Sequence, residues 1–181
     1  MPRSASRPLL SLFLTLAAAT GLSAQSAAPD LSDPEVAHVA VTANSIDIAL
    51  ATLAQSRTSN RDVKQFATTM ITDHSAVNAQ ATALATKLGV TPQDNAVSQS
   101  LLKGATEARA AIEPLKGSAF DKAYIDREVA YHQAVLDALD GLLIPTTSNP
   151  ELKQLLVDVR PAIATHLEHA KKLQSSLVAS K

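Results

Sequence analysis

Four long stretches of this chain place apolar residues at alternating steps of three and four. That spacing commits most of the chain to amphipathic helices packed along their length. The first stretch runs from Asp33 to about Arg57, with Val36, Val39, Ala43, Ile46, Leu50 and Leu53 in its stripe. The second follows Thr58-Ser59-Asn60, carries Val63, Ala67, Met70, His74, Val77, Ala81, Leu84 and Leu88, and stops at Gly89 with Pro92 beyond. The third starts at Ser118 and ends near Gly141, carrying Ile125, Val129, His132, Leu136, Leu139 and Leu143. The fourth carries Leu152, Leu156, Val159, Ile163, His166, Ala170, Leu173 and Leu177. At 1.5 Å per residue, helices of roughly 24 to 29 residues are roughly 36 to 43 Å long.

The ends of these stretches carry their own signals. Asp33-Pro34-Glu35 reads as a helix start, with Asp33 capping, and Asn149-Pro150-Glu151 repeats it. At the third helix Ser118 is the expected cap, with Asp121 as its capping-box partner. Pro161 lies inside the fourth stripe, cannot donate to the carbonyl of Val157, and predicts a kink. The first and second helices, and the third and fourth, are joined by short links and should form antiparallel hairpins. The middle link holds a less regular helical stretch from about Asn95 to Leu115, interrupted by Gly104 and ended near Pro114. It is long enough to cross the whole assembly. The expected fold is all-α, a four-helix bundle over residues 33–177 with one long helical crossover, the ferritin-like connection.

Met1 to Ala24 has the three parts of a secretory signal peptide: Arg3 and Arg7, the apolar run Leu9 to Ala19, and Leu22-Ser23-Ala24 as the cleavage site. Gln25 is then the mature N-terminus, and 25–32 a mobile polar lead-in. The apolar run is far short of the roughly 20 residues a spanning helix needs, and no later segment comes nearer, so a protein integral to the membrane is not expected. A periplasmic or secreted protein is. The chain has no Cys, which excludes disulfides, thiolate-bound zinc, iron–sulfur clusters and a lipoprotein anchor. Sixteen Lys and Arg against seventeen Asp and Glu leave no field to attract nucleic acid, and loss of Arg3 and Arg7 leaves fourteen against seventeen. Oligomeric state is not legible; the partners such a protein would meet are envelope proteins.

The informative residues are polar ones on apolar stripes. His74, His132 and His166 each replace an apolar stripe member about half-way along the second, third and fourth helices. All three therefore fall at a similar depth. Asp47 lies mid-way along the first helix, on the flank of its apolar face, while Asp73 precedes His74 and Glu128 stands one turn before His132. Buried groups of this kind must pair with each other, bind a metal or hold trapped water. Two readings stay open: a metal-free His/Asp/Glu network that fixes helix register, and a divalent transition-metal site built from His74, His132 and His166 with Asp47 or Asp73. His169 could add a ligand but is expected to face solvent, as is His38.

Phe66 to His74, then Phe120-Asp121-Lys122-Ala123-Tyr124 with His132 downstream, then Arg160-Pro161 with His166-Leu167 and Ala170, resemble the motif blocks of a bacterial family of exported proteins. That family is catalogued as a domain of unknown function (family 4142), its members are labelled outer-membrane or periplasmic, and its fold is assigned as ferritin-like. The resemblance runs from about Asp33 to Leu173 and places the family's motif positions on Asp73, His74, Asp121, Tyr124, His132, Pro161 and His166. Asp47 stands where members usually have Glu, which shortens the reach. The resemblance implies fold and export and supplies no activity. A di-iron carboxylate centre needs Glu-x-x-His on two helices, whereas Ile71, Val129 and Ile163 stand three residues before the three histidines. No haem is expected either, and no phosphate loop, nucleophile elbow or zinc-protease motif is present. The sequence thus points to an exported, non-enzymatic protein acting through envelope contacts or in stress tolerance, with a metal-binding bundle as the alternative.

Overall fold

The computed structural model describes residues 30–179, and every regular element among them is helical. The helices are α1 (Asp33–Arg57), α2 (Arg61–Leu88), α3 (Ala96–Ile112), α4 (Gly117–Ala138), α5 (Ile144–Thr146) and α6 (Pro150–Ala179); a π-helical turn, Leu139–Leu143, joins α4 to α5. The expected signal peptide, 1–24, and residues 25–29 of the lead-in lie outside the described residues. Within the rest of the lead-in Leu31 is buried beside Val36 and Leu152, so the chain is anchored two residues before α1 begins.

Helix starts differ in detail from the sequence expectation. The cap of α1 is Ser32, one residue earlier than expected, and the Glu35 carboxylate accepts from its N–H at 2.9 Å and its hydroxyl at 2.7 Å. Asp33 is thereby freed for a distant task. Its carboxylate accepts from the N–H groups of Ser148 (2.8 Å) and Asn149 (2.9 Å), tying the start of α1 to the turn before α6. Asn149 caps α6 as expected, through Glu151 N–H at 2.9 Å and Leu152 N–H at 3.0 Å. α4 starts at Gly117 rather than Ser118. Gly117 has φ +54°, a conformation costly for any residue with a Cβ, and Asp121 turns into the interior instead of capping. Gly89, at φ +64°, ends α2 as expected.

The third long helix does not stop at Gly141. The chain widens into the π-turn and continues through Pro145 to Thr146, and this keeps both Leu139 and Leu143 buried. α6 likewise runs through Pro161 as one helix. α1 packs along α2, and α4 along α6, with α2 also meeting α6. α3 fills the middle link and lies along α1, pinned at both ends. Asn95 Nδ2 donates to the Glu35 carbonyl at 3.2 Å; Arg57 donates to the carbonyls of Glu113 (2.5 Å) and Leu115 (2.7 Å) and covers the Phe120 ring at 4.8 Å.

Two apolar clusters result. One gathers Leu50, Phe66, Met70, Phe120, Tyr124 and Ala170; the other gathers Val36, Val39, Leu136, Leu143, Leu156 and Ile163. The first takes the C-terminal halves of α1 and α6 and the N-terminal halves of α2 and α4, so the members of each hairpin are antiparallel. Between the clusters, on every one of these helices, lie the polar residues singled out above. α1 corrects one expectation: by length and a mean hydropathy of 1.4 it is apolar enough to cross a bilayer, because small Ala and Val residues carry its hydropathy in place of a continuous leucine run. Here it is packed against α2 and α3 with Asn44 and Asp47 buried.

Arg57→Ala removes two charge-assisted bonds to carbonyls and a ring contact, and should cost about 1–3 kcal/mol of unfolding free energy with helix content unchanged. Urea denaturation followed by circular dichroism measures it.

Candidate metal centre

His74 of α2, His132 of α4 and His166 of α6 meet in the layer between the apolar clusters. Their ring centroids are 5.3 to 5.7 Å apart, close to an equilateral triangle, and all three are buried. Asp47 of α1 and Glu128 of α4, both fully buried, complete the layer. One nitrogen from each of the three histidines lies within 4.8 Å of the other two, and the same holds for one donor atom each from Asp47, Glu128 and His132.

Each of the five side chains spends one polar atom on a hydrogen bond to the protein around it and keeps the other inside the layer. His74 Nδ1–H donates to Asn44 Oδ1 at 2.6 Å, His132 Nδ1–H to the Glu128 carbonyl at 3.0 Å, and His166 Nε2–H to Asp73 Oδ2 at 2.9 Å. The carbonyl and carboxylate acceptors fix the tautomers of His132 and His166, so His132 Nε2 and His166 Nδ1 carry lone pairs, while His74 Nε2 faces the Asp47 carboxylate. Arg127 Nη1 reaches Glu128 Oε1 at 2.8 Å and Asp47 Oδ1 at 3.4 Å. What remains is His74 Nε2, His132 Nε2, His166 Nδ1, Asp47 Oδ2 and Glu128 Oε2, all buried and all without a hydrogen-bond partner. Asp47 Oδ2 lies 2.9 Å from His74 Nε2, yet the two do not complete an aligned hydrogen bond. An unmade buried bond costs about 1–3 kcal/mol, so the layer favours a guest that its inner atoms can share.

Charge is distributed to suit. Burial pushes the Asp47 carboxyl up, but the close approach of His74 at 2.9 Å, helped by His132 and Glu128, outweighs it and holds the group below the ordinary Asp range. Glu128 moves the other way, raised well above its ordinary value by burial and by the neighbouring Asp47 charge. The pair is thus polarised, with Asp47 giving up its proton far more readily than Glu128. Burial lowers His132 to about 4 and lowers His166 as well, so at neutral pH both are uncharged imidazoles, the form that binds metals. Arg127 stays cationic despite burial because Glu128 and Asp47 face it, and its guanidinium stacks 3.8 Å from the centre of the Tyr131 ring. Tyr131 in turn donates to the Ala43 carbonyl at 2.9 Å.

The sequence candidates separate into three groups. His74, His132, His166, Asp47 and Glu128 come together. Asp73 does not offer itself inward; its half-exposed carboxylate holds His166 from outside. Asp121, Tyr124 and Pro161 do not join. Tyr124 packs edge-on to Phe66 in the neighbouring apolar cluster, Asp121 lies a turn further toward the start of α4, and Pro161 is on the exposed side of α6. His169 is half-buried against Phe66 rather than facing solvent, and is no part of the layer. Sequence reasoning missed Asn44, Arg127 and Tyr131. Asn44 stands one helical turn before Asp47 on the same face, a spacing that could have flagged it.

A family model described as Domain of unknown function (DUF4142) matches residues 18–173, and the chain belongs to this family. No curated protein and no solved structure matches the chain significantly.

The buried histidines give the metal-free protein a defined acid response. His132 binds its proton at about 4 when folded against about 6.5 when unfolded, so between those values the unfolded chain holds more protons. Stability is complete above about pH 6.5 and declines as pH falls toward 4, with His166 acting in the same direction. Glu128 opposes this, since its raised folded value favours folding at the acid end. Glu128→Gln, which keeps the shape of the neutral acid, should therefore steepen the loss between pH 6.5 and 4, as read by urea midpoints across that range.

Proposed function

We propose that this protein is an exported four-helix bundle of ferritin-like connection that holds one transition-metal ion in its core, bound by His74 Nε2, His132 Nε2, His166 Nδ1 and Asp47 Oδ2, with Glu128 as a further oxygen donor. The single observation that carries this reading is the pair of buried triads that share His132, His74 with His132 and His166, and Asp47 with Glu128 and His132, each with its donor atoms within 4.8 Å of one another. A hydrogen-bonded network without a metal has no need to leave the inner atom of every member unused. A metal site does, because the outer bond sets tautomer and orientation while the inner lone pair binds the ion. Imidazole with carboxylate suits zinc, iron, copper, manganese or nickel.

Four or five protein donors leave little of the coordination sphere for a substrate, which favours retention of an ion over turnover. This agrees with a non-enzymatic role in the envelope. Export rests on the leader at residues 1–24, and a periplasmic site would expose the protein to metals before the cytoplasm does.

Protein purified from its native compartment should carry about one equivalent of metal by elemental analysis, and the metal-free form should gain thermal stability with zinc, iron, copper or manganese. No stoichiometric metal together with no thermal shift would overturn the reading. His74→Ala, His132→Ala and His166→Ala should each abolish uptake. Arg127→Met leaves the five donors in place and should weaken binding about 10- to 100-fold by loosening both carboxylates. N-terminal sequencing of the exported protein should start at Gln25; retention of residues 1–24 would refute the leader.

A further inference from the structure

The layer of five donors has an apolar cavity of about 110 Å³ stacked against one side of it. Its inner wall is formed by Asn44, Val77, Val135 and Ile163, each one helical turn from Asp47, His74, His132 and His166. From there it extends along α1 past Ala40 and Ala37 to Asp33, a run of about 16 Å at 1.5 Å per residue. Asn44 and Ile163 are buried and Val77 and Val135 half-buried, as are Leu88, Val90 and Asn149 at the far end, so the passage reaches the donor layer without being sealed from solvent.

We propose that this cavity is a binding site for small uncharged apolar molecules of the size of a diatomic gas. Three observations set the class. The walls are almost wholly Ala, Leu, Val and Ile, so water gains too few hydrogen bonds to be held there. The inner end offers Asn44, whose carbonyl oxygen is already taken by His74, and no cation for an anionic headgroup. The volume lies below the roughly 150 Å³ that admits a benzene ring, and spread over about 16 Å it is a narrow passage, too thin for an aromatic ring and too small for a long acyl chain. A guest at its inner end lies against the residue that fixes the His74 ring.

Xenon is the probe. Titrated into the full mature chain without metal, it should shift the methyl resonances of Val77, Leu84, Leu139 and Leu156 while leaving those of Leu50 and Ile125 in the other cluster unchanged. Ala81→Leu fills the passage from α2 and should abolish the shifts with melting temperature kept or raised; Ala40→Val, a smaller change, serves as the second variant and should reduce them. Metal uptake should be unchanged in both, so that failure here and failure of the metal reading are separable. Saturating xenon without shifts at these methyls overturns the proposal, as does binding of decanoate in place of xenon, which would make the cavity an acyl-chain site.

Discussion

Arg127 bonding to both Asp47 and Glu128 is the interaction on which the rest of the core depends. Two carboxyl groups side by side in a helical interior cannot both ionise unaided, and burying even one anion is expensive. The guanidinium, with a side chain 12% exposed and stacked on Tyr131, takes one oxygen from each. That choice decides where the other two oxygens go. They turn toward the histidines, Asp47 Oδ2 to His74 Nε2 at 2.9 Å and Glu128 Oε2 to His132 Nδ1 at 3.5 Å, instead of closing on the cation. The arrangement is an old problem of buried charge solved in an unusual direction: the cation orients the two carboxyl groups by one oxygen each.

This layer also fixes how the helices sit against each other. The apolar stripes of α1, α2, α4 and α6 are rich in Ala, Leu and Val and would tolerate a slip of one turn. A slip would set Asp47 or His132 against leucine and leave a charge or an imidazole unpaired, at a cost of several kcal/mol. The polar residues at mid-depth thus select one register among several of similar apolar content. Asp33 and Arg57 add to the selection at opposite ends of α1, since each bonds backbone groups that only the correct register brings near.

Much of this was legible in the chain. The period of the stripes marked α1, α2 and α6 closely, because long amphipathic helices carry a signal that no single residue can obscure. The mid-depth histidines and Asp47 stood out because a polar residue on an apolar stripe is a local contradiction. The errors have a common cause. Ser32 replaced Asp33 as cap, Asp121 turned inward, and Asp73 and Glu128 took different roles, each through a partner distant in sequence. Arg127 shows the limit most plainly: on a helix of alternating charges such as Asp126-Arg127-Glu128, nothing local tells which cation is buried. The π-turn at Leu139–Leu143 was hidden for the same reason, because it is the packing of both leucines that holds the chain helical beyond Gly141.

The cavity follows from where the large side chains were placed. Among the described residues the buried rings of Phe66, Phe120 and Tyr124 all lie in one apolar cluster, and the other has only aliphatic side chains. A ring fills space that branched aliphatic residues cannot, and Ala at positions 37, 40, 43, 81 and 85 leaves the shortfall facing inward on α1 and α2. The void lies beside the N-terminal half of α6, where Leu84 and Leu88 of α2 and Leu155 and Leu156 of α6 line it. A chain that needed only to be stable could remove the void by exchanging one of these alanines for leucine, and helix propensity would not resist the change. The asymmetry therefore has a stability cost without a local cause, which is the condition under which a void is best explained by what it admits.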